Sequence, residues 1–246
     1  MRKFFKNIVP NVVISQVNAI CKLLEVMLAE QEVKGLEFIF VFCMIWCMGA
    51  GLEIMEGNKS RISFDKFWRE TWKTIKFPTK GTVFDYYVDI ENSKMEDWNK
   101  LRNDSIESSI DTAKPITNYT IPTADTIASQ YLMKKFLKIN VPPMLVGSAG
   151  CGKTQIIKGL LNELTEKGDA YSSQIINFNF FTDSTLLQKV LESQLEKKGG
   201  AGIGPAKGKL IYFVDDLNMP KLDPYETQTA IALVRQSLDY SHWYDK

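Results

Sequence analysis

Residues 147–154 read GSAGCGKT and match G-x-x-x-x-G-K-[ST] at every defined position: Gly147, Gly152, Lys153 and Thr154. The octet constrains this chain more than any other feature, because it fixes a backbone shape and the elements on either side. Glycines let the chain close into a tight nest whose amide hydrogens converge on an anion. Gly147, Ser148, Ala149, Gly150, Cys151 and Gly152 would supply that backbone cradle. The lysine of such a loop reaches the β- and γ-phosphates of a nucleoside triphosphate, and the threonine hydroxyl can ligate Mg²⁺. A helix starting at this point turns its positive end toward the same phosphates. The flanks agree with the motif. VPPMLVG predicts a short apolar strand at Met144–Val146, and TQIIKGLLNEL predicts a helix with Ile156, Ile157, Leu160, Leu161 and Leu164 on one side.

A second segment pairs with the first. LIYFVDD, residues 210–216, is a buried-strand pattern over Leu210–Val214 ending in two carboxylates. It lies about 60 residues beyond the loop, with one strand–helix unit between. Asp215, at the carboxyl end of the strand, is the candidate Mg²⁺ partner opposite Thr154. Asp216 is the candidate group that orients or deprotonates an attacking water. Each motif has a plainer reading, a glycine-rich turn in one case and an acidic turn in the other. Their joint spacing favours the nucleotide reading.

Composition excludes several classes. The formal net charge of +1 offers no global attraction for nucleic acid or an anionic membrane. Cys21, Cys43, Cys47 and Cys151 have no zinc-type spacing, and His242 is the single histidine, so no metal–thiolate centre is expected. Free cysteines point to a reducing, cytosolic compartment. The apolar run Phe38–Leu52 spans 15 residues, short of the roughly 20 that cross a bilayer. It reads as a buried helix, and neither a membrane span nor a signal peptide is expected.

The organisation changes along the chain. Val12–Leu28 has a helical apolar period, followed by the apolar helix and by an aromatic stripe of Phe64, Phe67, Trp68, Trp72 and Ile75 that ends before Pro78. The stripe reads as core. Gly81–Lys100 suggests a strand pair with an Asn-Ser turn, and residues 101–120 a polar linker. Thr123 or Asp125 would cap a helix to Leu137. Strands at Met144–Val146, Ile175–Phe180 and Leu210–Val214 alternate with helices, around a glycine- and lysine-rich loop or hairpin tip at 197–209. That alternation predicts a parallel α/β sheet with helices on both faces, preceded by a mainly helical subdomain. The expected divisions are 1–80, 81–119 and 120–246.

WKTIKFPTKGTVFDYY, IPTADT, the octet, and FVDDLNMP followed by YETQTAIALVRQSLDYSHWYD resemble, in order and spacing, the motor ring of dynein heavy chains. The resembling stretch runs from the small helical subdomain of the second AAA+ module into the third. The LNMP and PTKGTVFDYY wording is closer to axonemal than to cytoplasmic heavy chains. The resemblance implies an incomplete P-loop NTPase (AAA+) fold, ATP with Mg²⁺ at the loop, and Ile121 and Pro122 against the adenine. It implies neighbouring AAA+ modules as partners. Microtubules and the dynein light and intermediate chains would be reached only through the full-length motor, in the cytoplasm and the axoneme of a cilium or flagellum.

Two departures qualify the expectation. AAA+ sites generally carry glutamate where this chain has Asp216, one methylene shorter. A displacement of about 1 Å at a catalytic group can cost about a hundredfold in rate, so slow turnover is expected. The sequence also stops at Lys246, before the strand that lies between the loop strand and the Asp215 strand in AAA+ sheets, and this segment alone is not expected to be a competent ATPase. Alternatives are a regulatory segment that binds without hydrolysis, an unrelated P-loop kinase, a small GTPase, or a membrane-associated protein. No N/T-K-x-D guanine motif follows the third strand, and Arg235 is the lone arginine after residue 216.

Overall fold

The computed structural model describes residues 5–29, 35–53, 60–102, 122–166, 170–200 and 202–244. The chain forms two compact units, Met1–Ile156 and Ile157–Lys246.

The first unit is built on an aromatic core. Helix α1 (Val13–Ala29) buries Ile20, Leu23, Val26 and Met27, and α2 (Leu36–Gly49) buries Ile39, Val41, Phe42, Cys43, Ile45 and Trp46. Helix α2 is the apolar run read from the sequence. It packs into the protein core, and among the described residues no helix is long and apolar enough to cross a membrane. The same burial pushes the Cys47 thiol up to about 12, with Cys43 higher still, so both remain protonated thiols. Helix α3 (Ser60–Thr71) contributes Phe64 and Trp68, stacked at 5.8 Å with their planes 20° apart. Phe64, Trp68 and Ile75 of the aromatic stripe are core, as its period predicts, whereas Trp72 is half-buried and Phe67 exposed.

Helix α3 stops at Thr71, before Pro78, and one arginine organises the segment that leads to the hairpin. Arg69 donates through Nε to Asp65 Oδ1 at 2.9 Å and through its terminal nitrogens to the carbonyls of Pro78 at 2.9 Å and Gly81 at 3.3 Å. Asp65 Oδ1 also accepts from the Val83 amide at 2.8 Å. Val83 consequently sits in a short 3₁₀ turn, Val83–Asp85, with a Thr82–Asp85 capping box, and not in a strand. The antiparallel hairpin comes next as β1 (Tyr86–Asp89) and β2 (Lys94–Asp97), with Tyr86 opposite Asp97 and Asp89 opposite Lys94. Trp98 closes the hairpin against the core by donating its indole N–H to the Phe84 carbonyl at 3.0 Å.

Helix α4 (Ala124–Lys138) begins where the sequence places its cap. The Thr123 hydroxyl accepts from the Thr126 amide at 3.2 Å, and the Thr126 hydroxyl accepts from the Thr123 amide at 2.8 Å. The helix packs Tyr131 edge-on against Phe42 and Trp98, and its hydroxyl reaches Met27 Sδ at 3.7 Å. Helix α5 (Lys153–Glu166) starts within the octet, as the motif requires, and buries Leu160 and Leu161.

The second unit holds a parallel ladder of β3 (Tyr171–Asn177) and β6 (Lys209–Asp215), in register from Tyr171 opposite Lys209 to Asn177 opposite Asp215. Gln174, Ile176, Tyr212 and Val214 share one face. Helices α6 (Ser184–Glu192) and α7 (Thr229–Tyr240) cover it, burying Ile176, Leu187, Leu191, Ala230 and Leu233. The Tyr212 hydroxyl donates to the Leu191 carbonyl at 2.6 Å, tying sheet to helix. The glycine- and lysine-rich stretch is a hairpin, β4 (Glu196–Lys197) with β5 (Ile203–Gly204).

One predicted strand does not form. Met144–Val146 joins no ladder, and Met144 is 65% and Val146 45% exposed. An apolar segment joins a parallel sheet only when a neighbouring strand takes up the amides and carbonyls along one of its edges at least. Among the described residues no strand offers that pairing. Strand β3 also starts four residues earlier than Ile175, because Tyr171–Gln174 finds its partner in Lys209–Tyr212.

Candidate nucleotide site

Two glycines of the octet hold backbone conformations that other residues resist. Gly150 has φ +77° and Gly152 φ +84°, both left-handed. An added Cβ at either would meet nothing within 4 Å, so the need for glycine there is conformational and not steric. Gly147 is the reverse case. Its φ lies outside the left-handed range, and a Cβ there would sit 3.2 Å from Cys151 Sγ. The sequence pattern does not separate these two requirements.

Lys153 folds into the loop. Its ammonium donates to the Gly147 carbonyl at 3.0 Å, to the Ser148 carbonyl at 2.7 Å and to Cys151 Sγ at 3.5 Å. The Gly152 carbonyl accepts from the Ile156 amide at 3.0 Å, the first bond of α5. Gln130 of α4 donates through Nε2 to the Ile156 carbonyl at 3.1 Å, bracing that first turn. Nothing in the sequence marks Gln130 for this role, since a polar residue on a helix face carries no motif. Ser148, Ala149, Gly150, Cys151 and Gly152 are exposed, and Lys153 and Thr154 are half-buried. The loop therefore presents open backbone and a long-stemmed cation at a helix N-terminus, the chemistry that suits a polyphosphate.

The acidic pair sits at the carboxyl end of β6. Asp215 is the last residue of the ladder, and its carbonyl accepts from the Phe178 amide at 3.0 Å, linking the ends of both parallel strands. Asp215 Oδ1 accepts from the Asp216 amide at 3.1 Å. Asp216 is exposed and left-handed, with φ +54°, and its carbonyl accepts from the Met219 amide at 3.0 Å. The tight turn thus sets two adjacent carboxylates at the end of the ladder. Of the expected adenine contacts, Pro122 is half-buried ahead of the Thr123 cap, and Ile121 lies outside the described residues. Among the described residues no group of three or more histidine, cysteine, aspartate or glutamate side chains could hold a metal by itself.

Comparison with known families agrees with both halves of the chain. Residues 108–246 match the family described as the P-loop containing dynein motor region, and residues 1–100 match the dynein heavy chain AAA lid domain. The chain belongs to the dynein heavy-chain family. It is 41% identical over 254 aligned residues to the dynein alpha chain of the flagellar outer arm of Chlamydomonas reinhardtii. It is 39% identical to human dynein axonemal heavy chain 9 and 38% to the ciliary dynein beta chain of Heliocidaris crassispina. Each alignment covers 100% of this chain and 6% of the relative. The fold is accordingly a dynein AAA+ P-loop arrangement, and its small parallel sheet backed by helices is part of that architecture.

Proposed function

We propose that this dynein segment binds ATP with Mg²⁺ and contributes to ATP-dependent, minus-end-directed microtubule motility in cilia or flagella. The observation that carries the reading is the octet's geometry: left-handed Gly150 and Gly152, and a lysine ammonium turned into the loop. In this reading residues 1–80 are the lid-like end of one AAA+ module, 81–119 a hairpin and linker, and 120–246 the P-loop module. The amides of residues 147–152 and the Lys153 ammonium bind the phosphates. Thr154 and Asp215 hold the metal, and Asp216 orients water. Bound Mg²⁺ would neutralise phosphate charge. Ile121 and Pro122 lie against the base. Relatives named for axonemal, ciliary and flagellar dyneins support an axonemal, cytoskeletal setting. Neighbouring AAA+ modules complete the site. Microtubules and the light and intermediate chains act through the full-length motor, and neither nucleic acid nor membrane is a partner.

A second reading, nucleotide binding with little turnover, is favoured by the short, left-handed Asp216. A fluorescent-ATP titration combined with phosphate-release kinetics separates the two. Binding with release supports hydrolysis, binding without release supports the regulatory reading, and no binding by the complete motor segment refutes both.

A further inference from the structure

We infer that Cys151 is a positioning residue that latches Lys153 onto the loop's own backbone and thereby sets how readily phosphate gains the lysine. The inference rests on the nucleotide reading of the octet, and it concerns a position that the motif leaves undefined.

Three contacts converge. The Lys153 ammonium has two carbonyl acceptors, Gly147 and Ser148, and the Cys151 sulfur is its third, at 3.5 Å. The same sulfur occupies the space beside the Gly147 α-carbon, where a methyl group would approach it to 3.2 Å. The sulfur therefore has two jobs. It gives the ammonium a third acceptor, and it fills the notch that glycine leaves at position 147. Gly147 is not left-handed, so no positive φ demands glycine there, and the neighbour that an added carbon would have to push aside is the thiol. The first glycine and the variable cysteine of the octet are thus one coupled unit.

A thiol is a weak acceptor, so the latch is weak and reversible. Phosphate oxygens are charged acceptors and outcompete it. The consequence is kinetic: the lysine must leave sulfur and carbonyls before it reaches phosphate. Removing the sulfur should speed capture of the phosphates without changing how tightly they are then held, because the thiol contact is already gone in the bound arrangement.

The test uses the full 246-residue chain, checked for folding by circular dichroism. Trace acetylation with quantitative mass spectrometry reads the freedom of Lys153 without any nucleotide. Cys151→Ala should raise the Lys153 acetylation rate roughly threefold, the size expected for one lost weak hydrogen bond, while Cys151→Ser, which keeps an acceptor, should stay near the unaltered chain. Gly147→Ala should raise the rate by displacing the sulfur, and the double variant should be no faster than Cys151→Ala alone. An unchanged rate in Cys151→Ala, or additive effects in the double variant, overturns the inference. Stopped-flow binding of a fluorescent ATP analogue then tests the consequence: faster association in Cys151→Ala with unchanged dissociation supports it, and a change confined to dissociation refutes it. Failure of the complete motor carrying the unaltered segment to bind the analogue, alongside the expected acetylation pattern, would overturn the nucleotide reading and leave the latch standing.

Discussion

At the residue scale, Lys153 and Asp216 carry the sharpest predictions. Lys153→Ala removes the ammonium while leaving α5 its preferred helix former. Charge-assisted hydrogen bonds contribute about 1.5–3 kcal/mol each, so ATP affinity should fall roughly a hundredfold or more in the complete motor, with far-UV circular dichroism unchanged. Equal affinity in a titration would refute the phosphate-loop assignment. Asp216 is a conflict between backbone and chemistry. A left-handed residue costs an L-amino acid about 1–2 kcal/mol, and aspartate tolerates it better than longer side chains because it bonds locally. Asp216→Glu should therefore lower the unfolding free energy by under about 1 kcal/mol, while phosphate release holds or rises because the longer side chain regains the missing reach. A large loss of release with unchanged stability would defeat that argument. The octet and the Asp215–Asp216 pair were legible because their spacing is enforced by chemistry. The left-handed turn at Asp216, the brace from Gln130 and the sulfur against Gly147 were not, since each arises from contacts between residues that no periodicity records.

At the element scale, two helices invite tests. Gly49 ends α2, and a Cβ there would meet Phe84 Cζ at 2.5 Å. Phe84 is 5% exposed and ringed by Trp46 and Phe64, so it cannot retreat. Overpacking of this kind costs about 1–3 kcal/mol, and Gly49→Ala should lose that much in a urea titration. On α6, Glu192 accepts from the Trp243 indole at 2.8 Å and from Gln188 Nε2 at 2.9 Å. These bonds, Trp243 first, hold its carboxyl below the usual glutamate range. The stability they lend is fully present above the ordinary glutamate pKa near 4.5 and is lost as pH falls through the depressed folded value. Acid titration of Trp243 fluorescence should show that loss, and Glu192→Gln, which keeps an acceptor but no charge, should flatten it. A pH response unchanged in Glu192→Gln would assign the transition to another group. Helix positions and caps were largely legible, from α1 within a residue to the Thr123 box. The Met144–Val146 strand was not observed, because apolar sequence specifies a tendency and the ladder needs a partner. The arrest of α3 at Thr71, ahead of Pro78, goes with Arg69 reaching beyond the helix to the carbonyls of Phe77, Pro78 and Gly81, which no periodicity records.

At the scale of the whole molecule, the two units differ in how much they bury. The first gathers Leu23, Phe42, Trp46, Phe64, Trp68, Phe84 and Trp98 into one continuous core, whereas among the described residues the buried cluster of the second comprises Ile176, Phe178, Leu187, Leu191, Ala230 and Leu233. The second unit's parallel ladder is two strands wide among the described residues, and Ile175 at its centre is 43% exposed. Stability follows apolar burial at about 25 cal/mol per Å², and a two-stranded sheet contributes little alone. The second unit should therefore unfold first. The tryptophans provide the means to see it: Trp46, Trp68, Trp72 and Trp98 lie in the first unit and Trp243 in the second. In a Trp243→Phe background, fluorescence reports the first unit alone, while far-UV circular dichroism reports both. The dichroism transition should begin at lower temperature than the fluorescence transition, and coincident curves would show instead a single cooperative molecule. Nucleotide adds a further discriminant. Ligand stabilises whatever must be folded to bind it, by about 2.7 kcal/mol at a hundredfold excess over Kd. If phosphate loop and Asp215 act on one Mg²⁺–ATP, the early transition should move up with ATP and Mg²⁺ together and much less with ATP plus a chelator. A shift of the late transition only would mean that the loop binds phosphate without recruiting Asp215.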